Sequence, residues 1–154
     1  MKLRILAVGR LKEPHWRDAA AEYLKRLRPY ASVEVLEVAD RDITRDAARA
    51  ISEEGADLLR LTPPQVHVIA LDVGGRVLSS TGLAEHLSEL MLRDRSDIAF
   101  VLGGAAGLSA EVRERADETM SLSALTLPHQ LARVVLLEQL YRSFRIIRNE
   151  PYHH

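Results

Sequence analysis

Short aliphatic and β-branched runs alternate with segments of helical periodicity along the chain, and this alternation restricts the possible folds more than any other feature. The strand-like runs are 3–8, 33–38, 66–71 and 98–102, and the helical segments are 16–27, 44–61, 79–91 and 128–147. Such an alternation predicts an α/β fold, a mostly parallel sheet flanked by helices. The run 98–102 is apolar throughout, which is typical of a strand buried on both faces.

The composition limits the class of protein. A chain of 154 residues fits a single domain, 1–154, and its 28% charged and 47% hydrophobic residues are those of a globular protein. It contains no cysteine, which excludes disulfides and thiolate metal sites, and its net charge of −1 excludes a uniformly basic protein. No signal peptide or membrane-length apolar run is present. We therefore expect a soluble, cytoplasmic protein with no membrane partner.

Three glycines follow the most apolar strand within five residues. Gly103, Gly104 and Gly107 lie where a parallel sheet places its ligands, outside the carboxyl ends of strands. Glycine permits both a sharp turn and the close approach of a ligand to the backbone. The dinucleotide and phosphate-loop motifs are absent. The glycines alone therefore fit a ligand-binding loop and a simple strand-to-helix turn equally well.

The segment 122–127 alternates aliphatic residues with small ones and ends at Pro128. A loop of this composition can form an apolar wall and offer backbone N–H and C=O groups to a planar heterocycle. The alternative is a short buried edge strand that leads into the last helix. The residues of this segment alone do not decide between the two.

The last helix is apolar around nearly its whole circumference, so it must be buried on more than one side. Packing against both its own sheet and a second subunit would achieve this, and we therefore expect a homodimer. Four arginines make the same region locally positive. They are either ordinary surface residues or contacts to a polyanion, because arginine suits phosphate oxygens; they are Arg133, Arg142, Arg145 and Arg148.

Four C-terminal blocks, in their order and spacing, resemble the ribosomal RNA large subunit methyltransferase H family (RlmH). The blocks are 102–109 (LGGAAGLS), 121–129 (SLSALTLPH), 133–142 (RVVLLEQLYR) and 149–153 (NEPYH). The opening residues and the Leu71-Asp72 pair before a glycine turn also match. The resemblance extends over essentially the whole chain, and it is the combination of blocks that makes it specific.

The resemblance implies an enzyme of the SPOUT class that uses S-adenosylmethionine, works as a homodimer and has a C-terminal trefoil knot. Periodicity could not have indicated a knot, which is rare in proteins. The implied cofactor site joins the two segments described above. Its residues are Leu71, Gly103, Leu122, Ser123, Ala124, Leu125, Thr126 and Leu127.

The family methylates N3 of a pseudouridine in 23S rRNA of the assembled ribosome. That nitrogen carries a proton that must leave, so a base would assist the reaction. By resemblance, the candidate base is His153. The implied contacts to the RNA are His129, Arg133, Arg142 and Tyr152. This chain departs from the family's usual arginine or lysine at its last position, His154, which would make a phosphate contact there dependent on pH.

Two other classes of function fit the residues without the resemblance. One is a nucleotide-sensing module that binds a small molecule at the glycine loop, and the other is an interaction protein whose apolar last helix serves only assembly. Metal catalysis is not expected, because the six histidines are scattered without the spacing of metal ligands.

Overall fold

The computed structural model describes residues 1–152 and contains five strands and five helices within them. The strands are β1 (Lys2–Val8), β2 (Ser32–Val38), β3 (His67–Val77), β4 (Asp97–Leu102) and β5 (Glu118–Ser121). The helices are α1 (Pro14–Leu27), α2 (Ala47–Arg60), α3 (Ser80–Leu92), α4 (Ala110–Arg115) and α5 (His129–Ile147).

The five strands form one parallel sheet in the order β2-β1-β4-β3-β5, which confirms the predicted fold class. Strand β4 lies in the middle, with Phe100 paired to Ile5 of β1 and to Ile69 of β3. All three side chains are fully buried. The continuous apolar run of β4 therefore has the physical cause expected from the sequence, because helices cover both faces of the sheet.

The alternation of side chains along each strand divides the core into two layers. Leu3 and Ile5 of β1 point to a layer formed with α1, α3 and α5, whereas Leu6 and Val8 point to a layer formed with α2 and α4. Successive strand residues face opposite sides of a sheet, so a strand that is apolar at every position supplies both layers.

Strand β3 is longer than the sequence predicted. Residues 72–75 were expected to form a turn, but pairing with β5 resumes after them, at Arg76 and Val77. Gly75 makes this possible: a Cβ atom there would lie 2.7 Å from backbone atoms of Met120. Residues 72–75 therefore form a bulge that bends the end of β3, and bulges of this kind are common beside functional sites.

Two other boundaries differ from the prediction. Helix α2 begins at Ala47 and not at Thr44, because the backbone N–H and hydroxyl of Thr44 both donate to Asp42 in a separate turn. Asp46 then caps the helix by accepting a hydrogen bond from the backbone N–H of Arg49. The edge strand β5 ends at Ser121, so residues 122–127 form a loop and not the strand that remained an alternative.

Helix α5 lies between α1 and α3 on the sheet. Leu136, Leu137 and Leu140 are buried there, so much of its all-round apolar character is explained within one chain. Ile146 remains 37% exposed. The predicted second subunit and the trefoil knot stay predictions. Within residues 1–152, no helix has both the length and the apolar character needed to span a membrane.

Candidate functional site

The carboxyl ends of β3 and β4 bring the two segments singled out in the sequence to one place. Leu71 pairs with Leu102 at the ends of these strands, and the chain continues from each into a loop. Together with the segment after β5, the loops enclose a cavity of about 360 Å³. We call this cavity, with the smaller one beside it, the cleft. Its larger part is lined by residues 71–73, 102–108, Arg113, Leu122, Thr126, Leu127, His129 and Ala132.

The glycine loop on one side of the cleft is closed on itself. Gly104 accepts a hydrogen bond at 3.1 Å from the backbone N–H of Gly107, which has a φ of +91°. A Cβ atom on Gly103 would lie 2.6 Å from the carbonyl group of Gly107. Gly103 is thus required by the close approach of two backbone segments, and Gly107 by a left-handed conformation.

The opposite side of the cleft is the loop 122–127, which Ser123 holds in shape. Its carbonyl accepts from the Ser121 hydroxyl and its own hydroxyl accepts from the backbone N–H of Leu125, both at 2.9 Å. Within the described chain, no backbone–backbone hydrogen bond forms in residues 123–127. Apart from the Ser123 carbonyl and the Leu125 N–H, the backbone polar groups of this loop are available to a ligand, as the composition of the segment had suggested.

The mouth of the cleft is unusually apolar for an exposed surface. Val73 and Leu125 are 78% and 76% exposed, and both line the smaller cavity of about 100 Å³ that continues the cleft. Single exposed aliphatic residues are ordinary, but two that face the same cavity mark a surface suited to a partly apolar ligand.

Seven of the eight predicted cofactor residues line the cleft. Ser123 and Leu125 line the smaller part; Ala124 is exposed and lines neither part. The other five line the larger part: Leu71, Gly103, Leu122, Thr126 and Leu127. The sequence analysis did not include Asp72, whose carboxylate lies 3.3 Å from the Arg113 guanidinium at the rim. Its position directly after a strand was the available signal.

A second cluster of predicted residues forms at the far end of α5. The hydroxyl of Tyr152 donates to Glu138 at 2.5 Å, and Arg142 donates to the same carboxylate oxygen at 2.6 and 2.9 Å. The Arg142 guanidinium also lies 3.8 Å from the centre of the Tyr152 ring. We call Glu138, Arg142 and Tyr152 the tail cluster, since it holds the C-terminal segment against the helix.

Burial and the adjacent Glu138 carboxylate raise the pKa of Tyr152 to about 12. For Arg142, burial disfavours the charged form, but the hydrogen bond and the charge of Glu138 outweigh it and raise the pKa. Near neutral pH, Tyr152 is therefore a hydrogen-bond donor and Arg142 is a cation. The candidate base His153 lies outside the described residues.

The cleft and the tail cluster are not adjacent within one chain. His129 and Ala132, near the start of α5, line the cleft, while Arg142 is ten residues farther along the helix than Ala132. At 1.5 Å per residue this separation is about 15 Å along the helix axis. His129 is exposed and lines the cleft. Arg142 and Tyr152 do not line the cleft of their own chain.

Arg133 is not available for the predicted contact with RNA. The residue is 4% exposed, and its guanidinium donates to Glu37 through Nη1 and to the carbonyl of Gly9 through Nη2. Its Nε is the one buried side-chain nitrogen or oxygen within residues 1–152 that lacks a hydrogen-bond partner. Arg133 therefore connects α5 to the ends of β1 and β2.

Comparison with known proteins agrees with this architecture. Three solved structures share the fold with TM-scores of 0.58–0.59 at 14–18% sequence identity. A probable methylase family protein from Haemophilus influenzae aligns over 99% of this chain and 70% of its own (TM-score 0.59, identity 14%). TrmJ from Z. mobilis aligns over 100% of this chain and 73% of its own, with a TM-score of 0.58 and 18% identity. A probable methyltransferase from Bordetella pertussis aligns over 92% of this chain and 95% of its own, with a TM-score of 0.59 and 18% identity.

A family match covers nearly the whole chain and includes every element around the cleft. Residues 1–153 match the family described as predicted SPOUT methyltransferase. The chain therefore belongs to the SPOUT methyltransferases, enzymes that transfer a methyl group from S-adenosylmethionine.

Proposed function

We propose that this enzyme methylates N3 of a pseudouridine in 23S rRNA, the activity of the RlmH family that the sequence resembles. The observation that carries the proposal is the cleft itself. The blocks 102–109 and 121–129, which carry the resemblance and are far apart from β3 in sequence, meet at the end of β3 around one cavity.

The cleft fits S-adenosylmethionine in size and chemistry. Its larger part, about 360 Å³, lies within the range of roughly 300–1,000 Å³ for small-molecule sites. Leu71, Leu122 and Leu127 would contact the adenine ring, and backbone groups of residues 124–127 other than the Leu125 N–H would bind its polar edge. The bound donor supplies an electrophilic methyl group, so the protein chiefly has to position the two reactants.

The tail cluster would prepare the nucleobase. Arg142 is a cation near neutral pH and keeps N–H groups beyond those bonded to Glu138, so it can bind a carbonyl oxygen of a uracil ring and stabilise negative charge there. The Tyr152 hydroxyl already donates to Glu138, so Tyr152 would contact the RNA through its ring and hold Arg142 in position. His153 would accept the proton that N3 loses. His129, exposed at the cleft, would contact the RNA beside the target nucleotide.

A homodimer would bring the cleft and the tail cluster together. Because no residue of the tail cluster lines the cleft of its own chain, we propose that the cleft of one subunit receives the tail of its partner. The exposed Ile146 beside the tail cluster and the apolar mouth of the cleft would be covered in such a dimer. We propose that the dimer acts in the cytoplasm on the assembled ribosome.

Mass spectrometry of 23S rRNA nucleosides tests the proposed reaction. Ribosomes from cells that lack the enzyme are incubated with the protein and methyl-labelled S-adenosylmethionine, and we expect one 3-methylpseudouridine per 23S rRNA. Isothermal titration calorimetry with S-adenosylmethionine and S-adenosylhomocysteine tests the donor site separately. If S-adenosylmethionine binds but no methyl label is transferred to the RNA, the result would support the sensing module instead. If neither compound binds, the assignment of the cleft as the donor site is contradicted.

A further inference from the structure

A second cavity lies beside the cleft along the same edge of the sheet, and its volume of about 590 Å³ exceeds that of the cleft. It is a groove between α1 and the edge strand β2. Its floor is apolar and includes Leu11, Ala20 and Leu137, all buried. Its walls carry three cations, and we call it the basic groove after them: Arg10, Lys12 and Arg17.

These three cations have no acidic partner in the structure. All are exposed, and within residues 1–152 none forms an ion pair or a side-chain hydrogen bond. The one carboxylate that lines the groove, Glu37, is already paired with Arg133. The groove is therefore a concentration of unbalanced positive charge on a chain whose net charge is −1.

The basic groove and the cleft are neighbours because both follow the carboxyl ends of parallel strands. The cleft follows β3 and β4, while Arg10 comes directly after the end of β1, between β4 and β2 in the sheet. Neighbouring strands are about 4.8 Å apart, so the two sites are separated by roughly 10 Å. Between them lies a depression lined by Val8, Gly104 and His129, by Arg41, and by the carboxylates of Asp40, Asp42 and Glu54. Phosphate contacts are therefore expected in the basic groove and not in this depression.

We propose that the basic groove binds the phosphate backbone of the substrate RNA next to the nucleotide that enters the cleft. The inference rests on the proposed function and adds the surface that holds the RNA. Three flexible cations on the walls of an open groove suit a phosphate chain, since such contacts set position without reading sequence. A chain with no overall excess of positive charge needs a local cationic site to bind RNA, because phosphate contacts dominate affinity.

The test compares two triple variants that remove equal charge. The groove variant is R10Q/K12Q/R17Q, and the control is K25Q/R28Q/R93Q. Helix α1 starts near the end of β1 and finishes before the start of β2, so Lys25 and Arg28 lie at the opposite edge of the sheet. Arg93 follows α3 and precedes β4 at that same edge. The probe is the assembled ribosome, labelled with fluorescein and prepared from cells that lack the enzyme.

We expect the groove variant to bind the probe about tenfold more weakly at 0.15 M salt and the control variant to bind it like the wild type. The slope of log Kd against log salt should fall by about 2, since each single-strand phosphate contact contributes about 0.7. The charge-conserving variant R10K/K12R/R17K should retain wild-type binding. Calorimetry with S-adenosylmethionine should give equal affinities for all four proteins.

The outcomes separate this inference from the proposed function. If the wild type methylates RNA and the groove variant does so with unchanged KM, the groove assignment is wrong and the proposed function stands. If sedimentation shows that the groove variant has lost a wild-type dimer, the groove is a subunit interface and the assignment is again wrong. If the wild type binds the donor but neither binds nor methylates RNA, both proposals fail.

Discussion

At the scale of single residues, Arg133 shows how one buried charge can join three elements. Its guanidinium binds Glu37 of β2 and the carbonyl of Gly9 after β1, while its backbone belongs to α5. From the sequence, Arg133 was grouped with the other arginines of the helix as a surface residue or a contact to RNA. Its position within the apolar run 131–137 indicated burial. Its partners could not be predicted, because they come from segments that are distant in sequence.

Replacement of Arg133 by methionine should destabilise the fold. The change leaves the Glu37 carboxylate and the Gly9 carbonyl without their donor, and we expect a loss of about 2–3 kcal/mol in the free energy of unfolding. Urea denaturation followed by circular dichroism measures it. Arg17→Met, at an exposed unpaired arginine, should change the value by less than about 0.5 kcal/mol. Equal effects of the two substitutions would show that the buried pair does not stabilise the protein.

Tyr152 should titrate later than an ordinary tyrosine. Its pKa of about 12, against an ordinary value of 10.0, means that folding favours the neutral phenol. The resulting stabilisation is fully present below about pH 10 and is lost as the pH rises towards 12. Ultraviolet difference titration of the wild type and Tyr152→Phe should differ by one phenol that ionises near pH 12. If the phenol that Tyr152→Phe removes ionises near pH 10 in the wild type, the hydrogen bond to Glu138 is contradicted.

At the scale of elements, the sequence predicted what depends on local periodicity. Strand β4 and helix α5 appear at their predicted places, within one residue at each end. The end of β3 and the position of β5 could not be predicted in this way. They depend on the pairing of Val77 with Ser121 across a bulge, which is a contact between distant segments and has no local signal.

The glycine loop should tolerate no side chain at Gly103. Alanine there would place a Cβ atom 2.6 Å from the Gly107 carbonyl, so the loop must move out of its position in the cleft. We expect at least a tenfold loss of S-adenosylmethionine affinity, about 1.4 kcal/mol or more, measured by calorimetry. Gly74→Ala is the matched control, because its Cβ would have only one neighbour, at 4.0 Å. Unchanged affinity in Gly103→Ala would place the donor elsewhere.

At the scale of the whole molecule, the candidate site depends on strand order more than on any single motif. The cleft forms because β3 and β4 are neighbours and β5 joins the edge beside β3. The basic groove forms beside it because β1 and β2 complete the other half of the sheet. The motifs identified which loops bind a ligand, but only the topology shows that a single edge presents both a donor cleft and a cationic surface.

The dimer proposal predicts that two defective chains can restore one another. Gly103→Ala damages the cleft and keeps the tail, whereas Tyr152→Ala damages the tail and keeps the cleft. If the tail acts on the partner's cleft, heterodimers contain one intact site. An equal mixture of the two variants, refolded together, should then regain about a quarter of wild-type methyl transfer, since half the dimers are mixed.

The same mixture distinguishes the alternative in which each tail serves its own chain. Every chain then carries one defect in its only site, so mixing restores nothing. Each variant alone should show little transfer, and capture of untagged Tyr152→Ala by affinity-tagged Gly103→Ala from the co-refolded sample is the control that shows mixed dimers have formed. Recovery in the mixed sample requires that the tail cluster of one chain act at the cleft of its partner, which agrees with the absence of tail-cluster residues among those that line the cleft within one chain.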